Sequence, residues 1–153
     1  MHSFEFSPAN LETFRRNLNL NPQLSGRIQI HPFALSNQSG QTVTFEEGGP
    51  GTTLKGKLGK NRATTKSIDA LAEDLKICPI GFIKLDIEGF ELPTLRGAAQ
   101  TILRDQPALA IAAYHKPDDL FKIPREILKI NQNYKIYMRH FTIHNEETMV
   151  LAK

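Results

Sequence analysis

The sequence predicts an α/β protein built on a mostly parallel sheet, and three observations carry that prediction. Strand-like and helix-like segments alternate along the 153 residues. The stretch Pro107 to Tyr114 is apolar and almost free of polar side chains, as suits a strand buried on both faces. Between Phe82 and Glu91, side chains two apart share a side: Ile83, Leu85 and Ile87 line one face, Lys84, Asp86 and Glu88 the other. Gly89 ends that run and a helical pattern follows, so the acidic turn sits where open α/β sheets place their ligand crevice.

The length suits one domain with a real core. Hydrophobic residues at 40% and charged residues at 23% describe an ordinary globular chain, and a net charge of +3 is too small to indicate nucleic acid. The lone Cys78 excludes an internal disulfide and fits a reducing compartment. No run of about 18 apolar residues suggests a membrane span, and the first residues show no basic-then-apolar leader. The expectation is a cytoplasmic protein with no nucleic-acid or membrane partner.

Met1 to Phe6 reads as a short strand, and Ser7-Pro8 supplies a helix cap with proline at the first helical position. Leu11, Phe14 and Leu18 form the apolar stripe of the helix that follows, closed by Asn17 to Asn21 and Pro22. Arg27 to Leu35 and Gln41 to Glu46 alternate as strands about the turn Asn37 to Gly40. Gly48 to Lys66, with five glycines and five lysines or arginines, predicts a long surface loop, either a binding loop or a mobile insertion. A short helix starts at Ser67 and runs through Leu75. Leu92, Leu95, Ala98, Ala99, Ile102 and Leu103 then recur at helical spacing after the charged strand, with Pro93 in the first turn. Beyond the apolar strand, Asp118 to Asn131 gives a turn and helix with Pro124 near the start of its regular part. Tyr134 to Phe141 and Thr148 to Ala152 predict a closing antiparallel pair around the turn His144 to Glu147.

The string KLDIEGFE from Lys84 to Glu91, followed by LRGA from Leu95 to Ala98, resembles the signature of the FkbM family of methyltransferases. Phe4-Glu5 with Ser7-Pro8, NLNLN from Asn17 to Asn21, Ala34-Leu35-Ser36 with Gly40, Tyr114-His115-Lys116-Pro117 with Asp118-Asp119, and Tyr137 to His140 follow in that family's order across the chain. The resemblance implies a class I methyltransferase (Rossmann-like) sheet with a C-terminal antiparallel hairpin. It also implies transfer of a methyl group from S-adenosylmethionine, usually to a hydroxyl of a sugar, macrolide or similar natural product. Family members begin with a strand and a glycine-rich turn that cradles the methionine part of the cofactor, and this sequence starts after that point. The expectation is an N-terminally truncated single domain over residues 1–153, lacking a first strand and helix that would sit between the strands at Met1 and Phe82. Phe6 also stands where the family usually has proline.

On that resemblance, Glu5 accepts hydrogen bonds from the cofactor's ribose hydroxyls, or else contacts the helix N-terminus that follows it. Ala34 and Leu35 fall where family members flank the adenine ring, or simply pack a strand end. Asp86 binds the amino group of the methionine part or orients the acceptor hydroxyl, and Glu88 holds the turn. A plain ion pair between Lys84 and Asp86 is the simpler alternative. His115, at the end of the apolar strand, is the expected general base, with Asp86 as its catalytic companion. Lys84, Arg139 and His140 are weaker candidates for an anionic part of the acceptor. Two carboxylates without a third ligand do not indicate a metal. Glu5 and Asp86 are expected to meet at one cofactor pocket. The competing functions are a non-catalytic remnant that acts as a binding module, and a nucleotide-dependent oxidoreductase, for which no glycine fingerprint is present.

Overall fold

The computed structural model describes the backbone of residues 1–49, 52–56, 59–144 and 146–153, and their side chains apart from those of 53–56. The chain divides into two compact units, residues 1–35 with 39–66 and residues 36–38 with 67–153.

In the first unit, β1 (His2–Phe4) pairs in parallel with β2 (Gln29–His31). Between them lies α1 (Pro8–Asn19), which begins where expected because the Ser7 hydroxyl accepts the Asn10 N–H and Pro8, lacking an N–H, fills the first helical position. A four-residue helix, α2 (Pro22–Ser25), follows Asn21, again opened by proline. The strand expected over Arg27 to Leu35 is two pieces: Pro32 interrupts it, and β3 (Ala34–Leu35) pairs with a different partner from β2.

That partner corrects the expected loop at Gly48 to Lys66. The segment contains β5 (Thr53–Gly56) and β6 (Asn61–Lys66), which join β3 and β4 (Thr42–Glu46) in the order β3-β6-β4-β5. Pro50, Gly51, Lys57 and Leu58 of the segment lie outside the described residues. The strand β6 buries Ala63 and Thr65 while Thr64 between them is exposed. Its period of two is real but carried by small residues. Ala34, Phe45 and Ala63 form the core here, with Phe6 set edge-on to Phe45 at 5.0 Å between ring centroids.

The second unit holds a four-stranded sheet in the order β7-β8-β10-β9, made of β7 (Phe82–Leu85), β8 (Ala108–Ala112), β9 (Ile136–His140) and β10 (Thr148–Ala152). β7 and β8 run parallel, from Phe82 against Ala108 to Leu85 against Ile111. β10 is antiparallel to both β8 and β9, so the predicted C-terminal hairpin is present. Asn145 in its turn lies outside the described residues. The expectation of a mostly parallel sheet gives way to mixed sheets, with three parallel and four antiparallel pairings among the described strands. The antiparallel excess comes from the terminal hairpin and from strands hidden in the glycine- and lysine-rich stretch.

The helices of this unit are α3 (Ile68–Asp74), α4 (Glu91–Arg96), α5 (Ala99–Asp105) and α6 (Asp119–Ile130). The single helix expected from Leu92 to Leu103 is broken between α4 and α5. A Cβ on Gly97 would lie 2.3 Å from the Ser36 carbonyl oxygen, so only glycine admits this close backbone approach. Asp69 then caps the second piece, its two oxygens accepting the Gln100 and Thr101 N–H groups at 3.1 and 2.8 Å. Pro124 sits inside α6 rather than near its beginning. Leu95, Ile102, Ile111, Ile123, Ile127 and Val150 are fully buried, each worth roughly 1.5–3 kcal/mol of transfer free energy. Among the described residues no helix is long and apolar enough to cross a membrane.

Candidate active site

The alternation of β7 places Ile83 and Leu85 in the core and leaves Phe82 and Lys84 exposed, so Asp86 emerges on the outer side at the strand's carboxyl end. The chain then reverses through two left-handed residues, Glu88 at φ 54° and Gly89 at φ 91°. Glycine adopts that conformation freely, whereas Glu88 does so at a cost. Three contacts hold the turn. The Ile87 N–H donates to Glu91 Oε1 at 2.8 Å, the Phe90 N–H donates to the Ile87 carbonyl at 3.3 Å, and the Lys116 ammonium donates to the Gly89 carbonyl. Lys116 Nζ also lies 5.8 Å from the Phe90 ring centroid.

Because β8 runs parallel to β7, the two strands end side by side, and Tyr114 and His115 reach the same acidic turn. The Tyr114 hydroxyl donates to Asp86 Oδ1 at 2.9 Å. Burial, and then the bond to Asp86, push the Tyr114 phenol well above its ordinary range. The His115 side chain is only 9% exposed and stands among three carboxylates. Its Nδ1 is 2.9 Å from Glu91 Oε1, and its Nε2 is 3.8 Å from Asp86 Oδ1 and 3.7 Å from Glu88 Oε2. The alignment leaves both ring nitrogens, and Glu91 Oε2, buried without a hydrogen bond among the described residues.

The arrangement joins three of the expected site residues, Asp86, Glu88 and His115, in one cluster. It adds Glu91, Tyr114 and Lys116, whose roles the sequence reading did not assign. A signal for Glu91 was present: it shares the three-and-four spacing of Thr94 and Leu95, so a carboxylate falls on the buried stripe of α4. The simple ion pair is there too, since Lys84 Nζ lies 3.3 Å from Asp86 Oδ2. It uses one oxygen and leaves the other facing Tyr114 and His115. Among the described residues no group of three or more His, Cys, Asp or Glu side chains is placed to hold a metal ion.

Beside the cluster, Tyr114, Lys116, Leu120, His140 and Ile143 contribute to a cavity of about 400 Å³. His140 Nδ1 lies 2.8 Å from the Thr148 hydroxyl. Lys84 and Arg139 are not among the residues lining that cavity.

The remaining candidates belong to the first unit. Glu5 follows β1, and both its oxygens meet the start of α1: Oε1 accepts the Ser7 N–H at 2.8 Å and Oε2 the Asn10 amide at 3.1 Å. Ala34 and Leu35 are 1% and 8% exposed, and Ala34 packs in the core with Phe45.

The family model of the methyltransferase FkbM domain matches residues 1–136. Among solved structures, the crystal structure of Methyltransferase FkbM from Methylobacillus flagellatus KT is 27% identical, with a TM-score of 0.75 over 99% of this chain. The chain spans 36% of the length of that protein. No curated protein matches. A motif order spread over the whole sequence, a matching α/β fold and a family model covering most of the residues agree: the chain belongs to the FkbM methyltransferase family.

Proposed function

We propose that the protein transfers a methyl group from S-adenosylmethionine to a hydroxyl oxygen of a small-molecule or glycan acceptor in the cytoplasm. The observation that carries this reading is a buried histidine ringed by carboxylates at the ends of two parallel strands, next to a cavity of about 400 Å³. That volume is within the range of small-molecule sites, roughly 300–1,000 Å³.

The donor set suits the cofactor. An ammonium and a sulfonium call for carboxylates with acceptor capacity to spare, and Asp86 and Glu88, with side chains 30% and 33% exposed, have it. When bound, S-adenosylmethionine supplies a methyl carbon on a positively charged sulfur, which departs as a neutral thioether. Asp86 and Glu88 would hold its cationic end. Glu5 is assigned to the ribose hydroxyls and Ala34 and Leu35 to the adenine. With the methyl donor bound, His115 Nε2 would take the proton of the acceptor hydroxyl and hold it as an imidazolium, while the donor would supply the methyl group. Such a base contributes about 10²–10⁴ in rate.

The test is incubation with S-adenosylmethionine labelled in its methyl group and a panel of neutral and acidic monosaccharides and a macrolactone. Label recovered on an acceptor oxygen is expected. No label on any acceptor, together with no heat on titrating S-adenosylmethionine, would leave a binding module in place of an enzyme.

A further inference from the structure

We propose that Glu91 is a positioning residue that fixes the proton of neutral His115 on Nδ1 and so keeps Nε2 free to act as the base. The proposal rests on the reading of His115 given above and names the group that sets its protonation pattern.

Glu91 is 1% exposed, and its carboxylate is pinned from one side by the Ile87 N–H at 2.8 Å. Oε1 lies 2.9 Å from His115 Nδ1, whereas Oε2 is buried with no hydrogen-bond partner among the described residues. A buried carboxylate needs a donor, and the imidazole is the titratable group in contact with it. At Nε2 the nearest carboxylate oxygens are 3.7 and 3.8 Å away, beyond hydrogen-bond range and on side chains about one-third exposed. The two ring nitrogens therefore differ in kind: Nδ1 faces a fixed, dry acceptor at bonding distance, and Nε2 faces a wetter acidic rim. The Nδ1 contact is at bonding distance but is not aligned as a hydrogen bond. Glu91 also links the base to the turn. The same oxygen that faces His115 holds Ile87, one residue beyond Asp86, so the carboxylate rim and the imidazole are set by one side chain.

The decisive experiment is a long-range proton–nitrogen correlation spectrum of the His115 ring in the free protein at mildly alkaline pH, compared with Glu91→Gln. The expected wild-type signature is a proton on Nδ1 and a bare Nε2. Glutamine can instead donate to Nδ1, so Glu91→Gln shifts the population towards protonated Nε2 and lowers kcat by about 10²-fold or more. A wild-type ring protonated on Nε2, or a spectrum unchanged in the variant, overturns the proposal. Should Glu91→Gln not fold, the wild-type spectrum decides alone. Because that spectrum needs neither cofactor nor acceptor, an Nδ1 proton in a protein that transfers no methyl would defeat the methyltransferase reading and not this one.

Discussion

Two turns of this molecule share one plan and are used differently. In each, a short strand ends in a carboxylate and a helix follows: β1 leads through Glu5 to α1, and β7 leads through Asp86 to α4. At the first turn both Glu5 oxygens are engaged by the helix start, on Ser7 and Asn10. At the second, the structural work falls to Glu91 and Lys116, which clamp the backbone between Ile87 and Gly89. Asp86 and Glu88 are thereby left to face Tyr114 and His115. A carboxylate near a helix N-terminus is stabilising in its own right, so acidity alone does not mark a site. What distinguishes the second turn is acidity whose structural duties have been taken over by neighbours.

The largest effect belongs to the second turn. His115→Ala should lower methyl transfer by about 10²–10⁴-fold with the circular dichroism spectrum retained; normal turnover would remove the base from this account. Gly89→Ala tests the turn's backbone: at φ 91°, with a new Cβ only 3.0 Å from Lys116 Cε, it should cost about 1–3 kcal/mol in denaturant unfolding. A smaller response is expected at the first turn. Glu5→Gln should weaken S-adenosylmethionine binding about tenfold, in line with losing one charged hydrogen bond, and calorimetry that finds no change would leave Glu5 with the helix alone. Asn10→Ala, which removes a partner of Glu5, should lower stability by about 0.5–1.5 kcal/mol and leave turnover unchanged. The finest probe is spectroscopic. Burial and Asp86 both hold the proton on Tyr114, so Asp86→Asn should bring tyrosinate absorbance in at lower pH than in the wild type.

Much of the fold was legible because its signals are local. Ser7-Pro8 announced α1, the alternation from Phe82 announced β7, and the apolar run after Pro107 announced β8. The failures have tertiary causes. Gly97 breaks a well-patterned helix because the Ser36 backbone passes against it, a contact no window of sequence displays. The strands β5 and β6 went unseen because glycine, lysine and threonine carry them, and Ala63 and Thr65 are too small to register as an apolar stripe. Of the clustered side chains, charge on a strand and a histidine at a strand end single out Asp86, Glu88 and His115 in the sequence. Glu91 is not singled out, because a carboxylate on a helix's buried stripe makes sense only once His115 is seen beside it.

The central claim is that the acidic turn after β7 receives the cationic end of the methyl donor. Calorimetric titration of S-adenosylmethionine into the wild type and Asp86→Ala tests it most directly. The account predicts measurable binding by the wild type and at least about tenfold weaker binding by the variant, as expected for loss of a charge-assisted contact; equal isotherms would contradict it.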